Sequence, residues 1–118
     1  MAQQKEDSID IRLQKCIDAD GSTMGMINCT DGAYDEWDKE LNKYYKLLMG
    51  VLGPEAKARL KAAQVNWLTY RDSEFAFINS AYNMDGTMWG VIKASGRMEL
   101  VKKRALELKE HYGTMTMH

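Results

Sequence analysis

The chain has 118 residues, 45% of them hydrophobic and 28% charged, with one proline, nine glycines and two cysteines. This is one domain's worth of chain, long enough to bury about two thirds of its unfolded surface, so collagen-like, disordered and cystine-scaffold classes are excluded. A formal net charge of −1 removes the positive excess that general nucleic-acid binding needs, and no apolar run approaches the ~18 residues of a membrane span.

The start, Met1-Ala2-Gln3-Gln4-Lys5-Glu6, is too polar for the apolar core of a signal peptide, so an exported form is expected to have had its leader removed. The first predicted helix runs from Ser8, as N-cap, to about Ala19, with Ile9, Leu13, Cys16 and Ile17 on one stripe and Asp20-Gly21 ending it. The second starts at Ser22 or Thr23 and reaches about Leu52, since Ile27, Tyr34, Trp37, Leu41, Tyr44, Tyr45, Leu48 and Leu52 alternate by three and four. Gly25 and Gly32 each weaken it by ~1 kcal/mol relative to alanine, so a break near Thr30-Asp31-Gly32 is an open question.

Gly53-Pro54 then places glycine just past one helix and proline at the first position of the next. The third helix carries Leu60, Ala63, Trp67, Tyr70, Phe77 or Ile78, and Ala81 on one face and ends around Asn83; Asn83-Met84-Asp85-Gly86 is a turn, with Thr87 as the next cap. The fourth holds Trp89, Val91, Ile92, Leu100, Val101, Ala105, Leu108 and Tyr112, with a candidate break at Ser95-Gly96. The whole reads as a single all-α domain over 1–118: an antiparallel bundle on a long helical hairpin, with a short N-terminal helix, a C-terminal helix, and loose ends at about 1–7 and 113–118.

Folding the hairpin at Gly53 sets positions whose numbers sum to about 106–108 opposite one another. Leu41 then meets Trp67, Asn42 meets Gln64, and Asp35 and Asp38 come within a turn of Arg71. Asp38, Asn42, Gln64 and Arg71 are therefore expected to form a polar network, Asn42 with Gln64 and a carboxylate with Arg71, that fixes the register.

Charge is unevenly spread. Between Asp18 and Glu40 seven acids face Lys39 alone, and between Lys93 and Glu110 six bases face three acids. Solvated helix faces explain this simply; the sharper reading is that Asp31, Asp35 and Glu36 steer a basic protein partner. Catalytic machinery is not visible: the only histidines are His111 and His118, there is no phosphate loop, and no nucleophile sits with a base. No cofactor and no catalytic or metal-ligating residue is assigned, zinc least of all. The nine methionines, with Met24-x-Met26, Met84 with Met88, and Met115-x-Met117-His118, raise a Cu(I) alternative, weaker than methionine as a flexible filler of helix faces. Cys16 and Cys29 are close enough for a disulfide, but their spacing equally suits two free buried thiols.

The combination of the cysteine pair with Asp38-x-x-Leu41-Asn42-x-x-Tyr45, Ala63-Gln64-x-x-Trp67-x-x-Tyr70-Arg71-Asp72 and Arg104-Ala-Leu-Glu-Leu108 resembles the LprI-like family of small exported bacterial proteins, from about Leu13 to Leu108. The resemblance implies an all-helical, periplasmic or secreted protein with a Cys16–Cys29 disulfide. Two further cysteines of many relatives fall near Phe75 and Ala94, and their joint absence fits a second pair lost together, which leaves open how the C-terminal half is held. Functionally the resemblance implies a non-enzymatic inhibitor of lysozyme-type cell-wall hydrolases, with an envelope structural or immunity-type protein as the alternative. Lysozymes are commonly basic and keep two carboxylates in a cleft, so an inhibitor needs charge complementarity and a projecting segment; Asn83–Thr87 and Gly21–Gly25 are the candidates.

Overall fold

A computed structural model describes residues 7–117 and contains four helices, α1 (Ser8–Ala19), α2 (Thr23–Val51), α3 (Pro54–Ala81) and α4 (Met88–Met115). The expected Ser8 cap is displaced by one residue: Asp7 is the N-cap, its Oδ1 accepting from Ile9 N at 2.9 Å. The α1–α2 turn is a relay of short side chains. Asp20 Oδ1 accepts from Ser22 Oγ at 2.7 Å and from Ser22 N at 3.1 Å, while Ser22 Oγ caps α2 by accepting from Gly25 N at 3.0 Å. Gly25 is required by space, because a Cβ there would lie 2.5 Å from the Asp20 carbonyl oxygen.

Helix α2 is continuous through Thr30-Asp31-Gly32. Burial of Cys29, Thr30 and Ala33 on either side of Gly32 outweighs the propensity cost of one exposed glycine, and Thr30 Oγ1 donates to Met26 O at 2.7 Å. Helix α4 likewise runs unbroken past Ser95-Gly96 and beyond Gly113 to Met115, so residues 113–115, expected to be loose, are helical. Thr116 Oγ1 closes that end on Tyr112 O at 2.7 Å. Thr87 stands at the N-cap of α4 but makes no side-chain cap bond. The expected loose residues 1–6 and His118 lie outside the described residues.

Helices α2 and α4 form the centre, where most of the close backbone approaches between helices occur. They run parallel, with partners offset by about 65 positions: the Thr23 and Thr87 hydroxyls are 3.5 Å apart, Asp31 meets Arg97, Trp37 lies under Lys102, and Tyr44 packs on Tyr112. At Gly90 an added Cβ would stand 3.0 Å from Ile27 Cδ1, so the glycine allows the close approach at this end. The core is Ala33, Trp37, Leu41 and Leu48 of α2 against Met98, Val101, Ala105 and Leu108 of α4, closed by Ile9 of α1. Trp37 is 1% exposed, and its indole Nε1 has no hydrogen-bond partner, so packing outweighs an unmade bond at the centre of the molecule.

Helix α1 lies along one flank of α2, tied by the Cys16–Cys29 disulfide (Cα–Cα 5.8 Å), by the Arg12–Glu36 ion pair and, across to α4, by Lys102 Nζ donating to Asp10 Oδ2 at 2.8 Å. Helix α3 lies on the other flank, antiparallel to both long helices. It approaches α4 where Ile78 meets Gly96. Toward α2 it is held by large side chains: Leu60, Trp67 and Phe75 reach the core, and Phe75 packs on Tyr34 at 6.1 Å. The expected α3 face is thereby rotated. Two three/four series overlap in this helix, and the inward one runs through Leu60, Gln64, Trp67, Arg71, Phe75 and Ile78, while Tyr70 and Phe77 are more than half exposed. The close partner of α2 is therefore α4 and not, as the hairpin reading expects, α3.

Removing the disulfide with Cys16→Ser/Cys29→Ser is expected to cost about 3 kcal/mol, on the order of 10 °C in the melting midpoint. Thermal denaturation followed by circular dichroism checks this, and Gly25→Ala is expected to destabilise in the same assay by forcing the Asp20 turn open.

Candidate functional site

Two surface regions gather the residues that the sequence singles out. The first is the disulfide end of the bundle. The parallel α2/α4 pair starts both helices at the same level, so the Gly21–Gly25 turn and the Asn83–Thr87 loop, alternatives in the sequence, meet as neighbours and share one shallow cavity of about 470 Å³. Met24, Ile27, Met84, Gly86, Thr87 and Trp89 line it. Met24 is 65% and Met84 56% exposed, and Tyr82 stacks on Trp89 at 6.0 Å beneath the loop. Gly86, at φ 111°, supplies the left-handed residue that turns the chain from α3 into α4. The Asp20 carboxyl sits below its ordinary 3.8, first because the Ser22 hydroxyl donates to it and second because the Ser22 amide does. The stabilising effect of the charged turn is thus present above that value and is lost as pH falls through the lower folded value.

The acidic face behaves differently from the bare sequence sum. Parallel packing lays the acidic first half of α2 beside the basic part of α4, and α1 adds a further cation. Glu36 pairs with Arg12, whose Nε donates to Oε1 at 3.0 Å, and Asp31 lies 4.0 Å from Arg97. Asp35 is exposed and makes no ion pair among the described residues. The opposed charge runs of the sequence therefore lie side by side and are joined by the Asp31–Arg97 pair, while Glu36 and Lys102 take their partners from α1.

The second region is the slot between α2 and α3, a cavity of about 410 Å³ bordered by Asp38, Leu41, Asn42, Tyr45, Lys61, Gln64, Val65, Trp67, Leu68 and Arg71. The facing pairs Asp38/Arg71, Leu41/Trp67 and Asn42/Gln64 all border it, in the register that the Gly53 corner sets. The bonds expected among the polar four are not made. Gln64 Oε1 instead accepts from Arg104 Nε at 3.0 Å, and Arg104 also pairs with Glu107 at 3.3 Å. Arg71 donates from Nε and Nη2 to Asp72 Oδ1 at 3.1 and 2.9 Å and lies 5.8 Å from the ring centres of Trp67 and Phe75. The reason is distance and competition: α3 makes few close backbone approaches to α2, so Asn42 does not bond Gln64, Arg71 is taken up by its neighbour Asp72, and the long Arg104 reaches Gln64 from α4. The Arg104–Gln64 bond is the contact that sequence reasoning missed; Arg104 lies in a quoted motif, but only the α3/α4 pairing gives it a partner.

Among the described residues no group of three or more His, Cys, Asp or Glu side chains converges as a metal site would require.

A family model described as "Lysozyme inhibitor LprI" matches residues 16–108. The chain belongs to the LprI family. That match spans both cysteines, the α2 and α3 motifs and Arg104, so the LprI pattern covers the disulfide end, the slot and the α3/α4 bond together. A relative from Rhizobium meliloti (strain 1021), described as uncharacterized, is 30% identical over 102 residues, covering 75% of this chain and 73% of that protein. A crystal structure of an uncharacterized protein from Burkholderia thailandensis is similar with a TM-score of 0.88 and 28% identity over 95% of this chain; the chain spans 57% of that longer protein. The fold described above is thus shared with that solved structure over nearly the whole of this chain.

Two measurements check the internal bonds. Arg104→Met is expected to cost about 1–3 kcal/mol in urea unfolding, because it leaves the buried Gln64 acceptor unpaired, and Gln64→Leu added to it is expected to recover part of the loss. Burial works against charge at Lys102, but the bond to Asp10 and the charges of Asp10, Glu99 and Asp7 together outweigh it and hold the amine above its ordinary 10.5. Its contribution is fully present below that value and declines as pH rises through the folded value; alkaline melts of Asp10→Asn are expected to lack this component of the decline.

Proposed function

We propose that this LprI-family chain is a periplasmic or secreted inhibitor of lysozyme-type cell-wall hydrolases that acts by binding protein, without chemistry of its own. The observation that carries the reading is the family match over residues 16–108. The Cys16–Cys29 disulfide supports an oxidising compartment, and no helix among the described residues is long and apolar enough to cross a membrane.

The disulfide end is the proposed contact surface. Methionine side chains adapt their shape to a partner, and exposed apolar patches of this kind mark interaction sites. Met24 and Met84 would enter the apolar part of a cleft, while Asp20, Asp31, Asp35 and Glu36 would attract its basic rim. Asp35 is the strongest single contributor in this scheme, since Arg12 and Arg97 already offset Glu36 and Asp31.

The oxidised protein is expected to slow lysis by a basic lysozyme in a saturable way, and unchanged lysis at large molar excess would remove the reading. At low salt, reversing Asp31, Asp35 and Glu36 to lysine together is expected to slow association on the order of tenfold, with Asp35→Lys the largest single effect in stopped-flow or surface binding measurements.

A further inference from the structure

The polar residues of the two motifs line a slot without bonding to one another, and their hydrogen-bonding capacity is left over. Asp38 and Asn42 on α2 and Lys61 on α3 have no hydrogen-bond or ion-pair partner among the described residues. Gln64 commits its oxygen to Arg104, and its amide nitrogen makes no hydrogen bond among the described residues. Arg71 commits Nε and Nη2 to Asp72 and retains Nη1. Leu41, Tyr45 and Trp67 give the slot an apolar, partly aromatic floor, the exposed Val65 and Leu68 also border it, and the same lining holds the donors and acceptors. Its volume, about 410 Å³, is within the ~300–1,000 Å³ range of small-molecule sites.

The character of the ligand follows from the lining. The lining charges are Asp38 against Lys61 and Arg71, and Asp72, outside the slot, already pairs with Arg71, so the remaining charge nearly balances and disfavours a strongly charged guest. The lining carries both acceptors (Asp38, Asn42) and donors (Lys61, Arg71, and the Asn42 and Gln64 amides), which suits hydroxyl groups, each able to donate once and accept twice. An apolar floor under a ring of mixed polar groups complements a molecule with a C–H face and a hydroxylated rim. We propose that the α2/α3 slot is a binding site for a neutral saccharide of one to three units. This site lies apart from the disulfide end and does not depend on the inhibitor reading.

The test is titration of the full, oxidised chain with chitotriose and with maltotriose, followed by ¹H–¹⁵N shifts and calorimetry. Saturable shifts confined to residues 38–45 and 61–71 with either sugar support the site. Preference for chitotriose assigns the recognition to the acetamido group, and equal binding assigns it to the hydroxylated ring. Asn42→Ala and Asp38→Ala, both at positions with no internal bond, are expected to weaken binding on the order of tenfold with melting temperatures unchanged. Phe77→Ser, on the far side of α3, is expected to leave it unaltered. No saturable shift with either sugar, shifts centred outside the slot, undiminished binding by the Asn42 and Asp38 variants, or tighter binding of a neutral tripeptide than of both sugars would overturn the proposal.

Discussion

The parallel packing of α2 against α4 is the constraint from which the remaining architecture follows. Two parallel helices adjacent in space need a return segment as long as themselves, and α3 supplies it, 28 residues or about 42 Å of helix running back beside the pair. Its length is dictated by topology more than by burial: only Gln64 and Ile78 on it are buried, and Val65, Leu68, Tyr70 and Phe77 are exposed. A helix present as a connection is free to stand off its neighbour, and the slot between α2 and α3 is the result.

The same pairing orders the electrostatics. Acids between Asp18 and Glu40 and bases between Lys93 and Glu110 look in one dimension like two separate surfaces. In three dimensions the offset of about 65 positions lays them side by side, and Asp31–Arg97 is one join between them. The cation from α1, Arg12, and the bond from Lys102 to Asp10 extend the pattern across three helices. The exposed pairs, Asp31–Arg97 and Arg12–Glu36, contribute little stability individually, whereas Lys102–Asp10 is partly buried and ties stability to pH through the raised Lys102 amine.

Helix type and the Gly53-Pro54 corner were legible because each depends on local chemistry, three/four periodicity and a proline at the first helical turn, whereas the cysteine spacing left a disulfide and two free thiols open and the family resemblance implied the disulfide. The α2/α3 register was also legible, since a tight corner leaves few alternatives. The spacing between those helices was not. Nothing in Asn42 or Gln64 taken singly states whether an aromatic ring will hold them apart, and it is Trp67, Phe75 and Tyr34 acting together that do so. Likewise Tyr70 and Phe77 fit an inward stripe as well as Gln64 and Arg71 do, and only the position of α4, with Arg104 reaching Gln64, decides between them. The convergence of the Gly21–Gly25 and Asn83–Thr87 segments is a long-range outcome of the parallel pair and leaves no local signature in either segment.

Because α3 is joined to the centre by side-chain tips more than by interlocked backbones, its amides are the ones to exchange with solvent through openings smaller than global unfolding. The helix is bounded by two corners, the extended Gly53 at one end and the left-handed Gly86 at the other. The chain thus divides into a rod, α1 with α2 and α4, and an arm, α3, whose amides are expected to exchange ahead of those of the rod.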